Sequence, residues 1–270
     1  MFSAGKLRLA DRRTIAVRAF DVAKFLAVAG LLAWLLARGA AGLGYNWQWY
    51  RIPKYIFTLD GGFTAGPLLE GLVLTFKIVG VSLVLALAIG LATALFRLSD
   101  SFAARAVARG YLEIVRNTPL LIQIFFIYFV VSPVIGISRF ASAVAALSMF
   151  EGAYASEIFR AGIVGIHKGQ WEASYSLSLS KYQAYRHIIL PQAVRRILPP
   201  LTGQGVALVK DSALCSTIAV FELTFQGQQI IAETFLTFEV WFTVAVIYLI
   251  VNLSLSSASQ VMEARLRLKE

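Results

Sequence analysis

Apolar residues run through this chain in long stretches, without the alternation or one-sided spacing of a soluble domain. Positions 20–36 read FDVAKFLAVAGLLAWLL, with Lys24 near one end. Positions 67–96 form a longer run, and 111–137, 140–163, 194–221 and 238–257 form four more. A helix needs about 20 predominantly apolar residues to cross a bilayer. The pattern therefore predicts an all-α, polytopic membrane bundle of six transmembrane helices. The first run is short, and Lys24 can snorkel from its end. Pro119 lies near the start of the third, and Lys210-Asp211 interrupts the fifth.

The connections alternate in charge. The N-terminal tail holds Lys6, Arg8, Arg12, Arg13 and Arg18, and Arg97, Arg105 and Arg109 follow the second run. Lys168, Lys181, Arg186, Arg195 and Arg196 follow the fourth, and Arg265, Arg267 and Lys269 close the chain. The other connections are poor in basic residues, and 222–239 has none. By the positive-inside rule, both termini are expected in the cytoplasm of a multi-pass protein of a bacterial inner membrane. Trp47, Trp49, Tyr50 and Tyr55 would form an outer interfacial belt. A basic start, an apolar core and ARGAAG also fit a cleaved signal, but the basic region is longer than a signal needs. An uncleaved first helix is expected.

Composition agrees. The chain is 58% hydrophobic and only 15% charged, against about a quarter charged in soluble domains. The net charge of +10 would suggest nucleic acid in a soluble protein. Here it follows topology, and no nucleic-acid partner is expected. The single cysteine, Cys215, excludes a disulfide framework. No metal-ligand cluster stands out.

One polar segment breaks the pattern. EASYSLSLSKYQAYRHIILP, positions 172–191, lies in a stretch too polar to span and too long for a simple turn. Positions 172–183 lack Pro and Gly and read as helix, with Lys168 and Glu172 spaced to pair. Pro191 is expected to end that element. A solvated loop would account for the composition alone.

The spacing within the segment is more specific. Glu172-Ala173-Ser174, a small residue at Ser178, then Ile188, Leu190 and Pro191 resemble the cytoplasmic EAA loop of ABC-importer permeases. Ser174 and Ser178 stand where that family usually has Ala and Gly. EIVRNTPLLIQIFFIYF (113–129), YASEIFRAGIVGIHKGQWEAS (154–174) and LVKDSALCSTIAVFEL (208–223) are similar to its polar amino-acid uptake branch. The resemblance implies a type I ABC-importer permease fold, with a core at 66–262 and a coupling loop at 164–196. Outside that core lie 1–65, with the first helix and an external loop, and a cytoplasmic tail at 263–270. It implies that Gly169, Trp171, Glu172, Ala173, Ser174, Ser178, Ile188, Leu190 and Pro191 form the ATPase-coupling loop, with Trp171 an apolar anchor or an ordinary interfacial Trp. The implied partners are a dimer of ATP-binding subunits, a periplasmic or lipid-anchored substrate-binding protein, and a second permease subunit. No phosphate-binding loop of the GxxxxGK[ST] type is present. ATP and Mg are thus expected on the partner, with no catalytic residue and no cofactor on this chain.

Ionisable residues inside spans are costly and face partners or aqueous paths. Structural readings are a Glu157–Arg160 pair, Lys77 paired across helices, and Lys210-Asp211 as a helix break. The other reading places Asn117, Gln123 and Glu151 along a substrate path, suited to a zwitterionic amino acid. An ion-coupled secondary transporter and a permease for another small polar solute remain the alternative functions.

Overall fold

Proline and glycine set where the principal helices begin and bend. The computed structural model describes residues 20–266, apart from positions 33, 36, 40, 41, 43, 60 and 61. The basic N-terminal tail, Arg267 and Lys269 lie outside the described residues. The chain divides between Gln48 and Trp49 into two units. The first contains helix α1 (Phe20–Gly39), whose apolar side chains are exposed.

The second unit begins with a 3-10 turn at Trp49–Arg51, a short α2 (Pro53–Ile56) and a two-residue hairpin of β1 (Phe57–Thr58) and β2 (Thr64–Ala65). Gly66 then caps α3 (Pro67–Leu98), with Pro67 in its first turn. There a missing N–H costs nothing. The remaining helices are α4 (Phe102–Arg116), α5 (Leu120–Phe125), α6 (Ser132–Ile135), α7 (Arg139–Val164), α8 (Lys168–Ser176), α9 (Lys181–Ala184), α10 (Leu190–Asp211), α11 (Leu223–Thr234) and α12 (Thr237–Leu266).

Among the described residues, α1, α3 and α12 are each long and apolar enough to cross a bilayer. The pair 102–116 and 120–135 also qualifies when taken together, but it bends by 106°. The helices α7 and α10 have the length, at 26 and 22 residues, and each carries four charged residues. Apolarity alone therefore marks three spans, or four with the bent pair, where the pattern predicts six.

The bend corrects the expected third span, which was to start at Tyr111. Pro119 disfavours a helical Thr118, and three side chains then satisfy the last carbonyls of α4. Asn117 Nδ2 donates to Glu113 O (2.7 Å), Thr118 Oγ1 to Ile114 O (2.9 Å) and Gln123 Nε2 to Val115 O (2.8 Å). Pro191 is a second correction. It does not end its helix but lies in the first turn of α10. A π-helical stretch at Tyr185–Ile189 links α9 to α10, just as one at Phe126–Val131 links α5 to α6 ahead of Pro133. A proline ring crowds the carbonyl four residues back, and in both places that carbonyl lies within the widened π turn.

The core is a seam of small residues. Gly71, Thr75, Ser82, Ala86, Gly90 and Ala94 follow one another at four-residue steps, with one seven-residue step from Thr75 to Ser82, along the buried stripe of α3. Facing it, α7 buries Ala143, Ala146, Gly152, Ala155 and Ser156. Small side chains let helices approach closely where lipid offers no hydrophobic drive. A Cβ on Gly90 would sit 2.7 Å from Ala155 Cβ and 3.0 Å from Gly152 O.

Candidate docking segment and membrane-buried carboxylates

Helix α8 leaves the end of α7 through Gly165 and is held locally at every turn. His167 Nδ1 accepts from Gly169 N (3.1 Å), capping the first turn. Ser174 is buried, and its Oγ donates to Gln170 O (2.6 Å). At the far end, Ser178 N donates to Tyr175 O (2.9 Å) and Leu179 N to Ser174 O (3.1 Å). Those two bonds close a Schellman motif. The motif places Ser178 at φ +57°, in the left-handed region. Ser180 and Gln183 then form a reciprocal capping box that starts α9.

The inner side of this segment rests on the chain itself. Trp171 packs edge-on to Tyr185, with ring centroids 4.8 Å apart. It joins a cluster built on Ile166, Ile189, Ala193 and Ile197, with Ile188 at its edge. Gln192 Nε2 bridges from α10 to Gln170 Oε1 (3.1 Å). Trp171 is thus half-buried, with its inner side held by the chain's own residues. The apolar groups turned outward are Tyr175, Leu177 and Tyr182, at 51%, 72% and 69% exposure. Glu172, Ala173, Leu190 and Pro191 are exposed as well. The expected Lys168–Glu172 pair is absent among the described residues: both side chains point into solvent, where pairing two long side chains gains little.

Deeper in the bundle, Glu151 on α7 is 2% exposed. Among the described residues, neither carboxylate oxygen has a partner in hydrogen-bond geometry. The polar groups beside it are Gln204 and Asp211 of α10. Asn117 and Gln123 do not join them. Both are engaged at the α4 bend, Asn117 also through Glu113 Oε2 (3.0 Å) and Gln123 through Thr118. At Asp211 the helix changes from α to 3-10, through Ser212–Ile218, so Lys210-Asp211 does mark a break. Lys77 is exposed and forms no ion pair among the described residues.

The expected Glu157–Arg160 contact is present at 3.4 Å, but it is the smaller part of the cluster. Glu157 Oε1 also meets Arg97 Nη1 of α3 (2.7 Å) and Arg116 Nη1 of α4 (3.0 Å). Sequence reading missed these two partners. It also missed Glu222, a fully buried cap of α11 that accepts from Thr224 N (2.9 Å), Phe225 N (2.8 Å) and Tyr248 Oη (2.9 Å). Glutamate is not among the usual N-cap residues, so no local signal marked it.

The model of the binding-protein-dependent transport system inner membrane component family matches residues 85–268. The chain belongs to that family. It is 40% identical over 204 residues to the glutamine transport system permease protein GlnP of Escherichia coli K12, covering 74% of this chain and 93% of GlnP. It is 37% identical to the L-cystine transport system permease protein TcyB of Bacillus subtilis, covering 74% and 87% respectively. A crystal structure of an amino acid ABC transporter with histidines superposes with a TM-score of 0.74 at 32% identity, over 82% of this chain and 100% of that one. The fold is that of a type I ABC-importer permease. As a family member, the chain is a multi-pass membrane component of a transport system and not itself an enzyme.

Proposed function

We propose that this chain is the permease subunit of an ATP-driven importer for polar L-amino acids. An external binding protein delivers the substrate, and two separate ATP-binding subunits carry ATP and Mg. A second permease subunit, identical or related, completes the path. The observation that carries this reading is α8: its inner face is fixed to the bundle while Tyr175, Leu177 and Tyr182 face outward. A rigid element with a free apolar face can transmit the closure of a docked partner into rigid-body movement of the helices. The segment lies on the cytoplasmic side with both termini, in accord with the charge of the connections. Its docking surface comprises Glu172, Ala173 and the three outward apolar groups. Gly169, Ser174, Ser178, Ile188, Leu190 and Pro191 shape and support it.

Within the membrane, Glu151 meets the substrate's ammonium group, with Gln204 and Asp211 beside it. The relatives' substrates, glutamine and cystine, support a small zwitterion as cargo. The test is uptake by proteoliposomes containing the chain, its ATP-binding subunits and its external binding protein. Uptake should require both ATP and the binding protein, and Glu151→Gln should lower it at normal expression. Uptake driven by an ion gradient without ATP would overturn the reading. Unchanged uptake in Glu151→Gln would remove that residue from the path.

A further inference from the structure

At the end of α7 that leads into α8, a half-open cavity of about 560 Å³ lies between α3, α4 and α7. Five arginines line it (Arg97, Arg105, Arg109, Arg116 and Arg160) against two carboxylates, Glu113 and Glu157. We infer that this basin binds a phosphate group. Glu157 is already shared by Arg97, Arg116 and Arg160. Glu113 is engaged by Asn117. Arg105 uses one nitrogen on Ser99 O (2.8 Å), and Arg109 is exposed with no hydrogen bond or ion pair among the described residues. Three positive charges are thus left without a counter-charge in one concave site, where a low-dielectric wall concentrates the field.

Guanidinium forks match phosphate oxygens two at a time. Arg105 and Arg109 lie one turn apart on α4, on the same face as Glu113 and Arg116. Arg116 is further held over the Tyr154 ring, 5.8 Å from its centroid. A bound phosphate would complete the set of which Glu157 neutralises only one charge in three. Two sources share this chemistry, a phospholipid headgroup and free phosphate. The other side of α4 exposes Val107 and Ile114, and a helix charged on one side and apolar on another suits a membrane interface. The site stands independently of the transport reading.

The test uses the full-length chain purified in neutral detergent. Native mass spectrometry follows retention of phosphatidylglycerol against phosphatidylcholine, and calorimetry follows titration with inorganic phosphate. Arg105→Gln with Arg109→Gln should reduce phosphatidylglycerol retention, or phosphate affinity, about tenfold, the loss expected for charge-assisted hydrogen bonds. Arg109→Gln alone, which removes no internal bond, should show a smaller loss in the same direction and serves if the double variant does not assemble. Retention of phosphatidylglycerol that phosphate does not displace assigns the headgroup. A phosphate signal without lipid retention assigns the free ion. Equal behaviour of wild type and variants in both assays overturns the site.

Discussion

The two regions at the C-terminal end of α7 are held in contrasting ways. Helix α8 and its turn are built from bonds between near neighbours in the chain: His167 to Gly169, Ser174 to Gln170, Leu179 to Ser174, Ser180 with Gln183. The Glu157 cluster instead joins α3, α4 and α7 through side chains far apart in sequence. The first region takes its local shape from its own short-range bonds, while its inner side rests on α10 through Trp171, Gln170 and Gln192. The second fixes how three helices sit together, and so depends on the seam beneath it.

The seam gives the largest expected effect. Gly90→Leu would drive a side chain into Ala155 and the Gly152 carbonyl, where even a Cβ has no room. Overpacking costs about 3 kcal/mol at the upper end. The variant should unfold at lower temperature or fail to accumulate in the membrane, as read by thermal unfolding of the purified chain. If it stayed as stable as wild type, α3 and α7 would not meet as described. Next comes Glu157→Gln, which leaves three guanidiniums around a neutral amide. Complete burial would make this costlier, but the cluster is partly solvated, so roughly 2 kcal/mol is expected. The loss should shrink in high salt, which screens the remaining repulsion. A salt-independent loss would mean that packing, not charge, holds the junction.

If α8 docks a partner as proposed, its outer face should respond in activity and not in stability. Leu177→Asp and Glu172→Lys alter exposed side chains that make no side-chain bond among the described residues. Each should lower ATP-driven uptake about tenfold, equivalent to one lost apolar or polar contact at an interface. Insertion and thermal stability should stay unchanged. Trp171→Ala should instead lower stability and uptake together, since its ring packs on Tyr185 and helps to fix α8 to the bundle. Normal coupled uptake in both surface variants would remove α8 from the docking role.

The same contrast decides what could be read from sequence. The segment at α8 was legible as a polar, helical interruption, and its turn rests on short-range bonds such as Leu179 N to Ser174 O and the Ser180–Gln183 box, whose partners are near neighbours in the chain. Its inner and outer faces were not legible. Trp171 and Leu177 are both apolar, and only the neighbouring Tyr185, Ile189 and Ala193 decide that one turns inward. Apolar runs marked α3 and α12 directly. They failed at Pro119, because the bend follows from how Asn117, Thr118 and Gln123 complete the last carbonyls of α4. Pro191 was misread for the complementary reason: a π turn absorbed the strain that would otherwise end a helix. Of the three partners of Glu157, only Arg160 was marked by local spacing; Arg97 and Arg116 lie on α3 and α4 and had no local signal.

The smallest expected effect is also the most discriminating for the lever. Ser178 holds φ at +57°, a conformation that costs a residue with a side chain about 1–2 kcal/mol. Glycine removes that cost but adds freedom to the unfolded chain, worth roughly 0.5–1 kcal/mol. Ser178→Gly should therefore stabilise the protein by only about 0.5 kcal/mol and leave uptake intact. Ser178→Val should lose stability and uptake together, because a β-branched residue resists the left-handed region. The Schellman turn would then open and release Leu179 from Ser174, tilting Leu177 away from any docked partner. If valine and glycine behaved alike, the turn would not be what aims the outward face of α8.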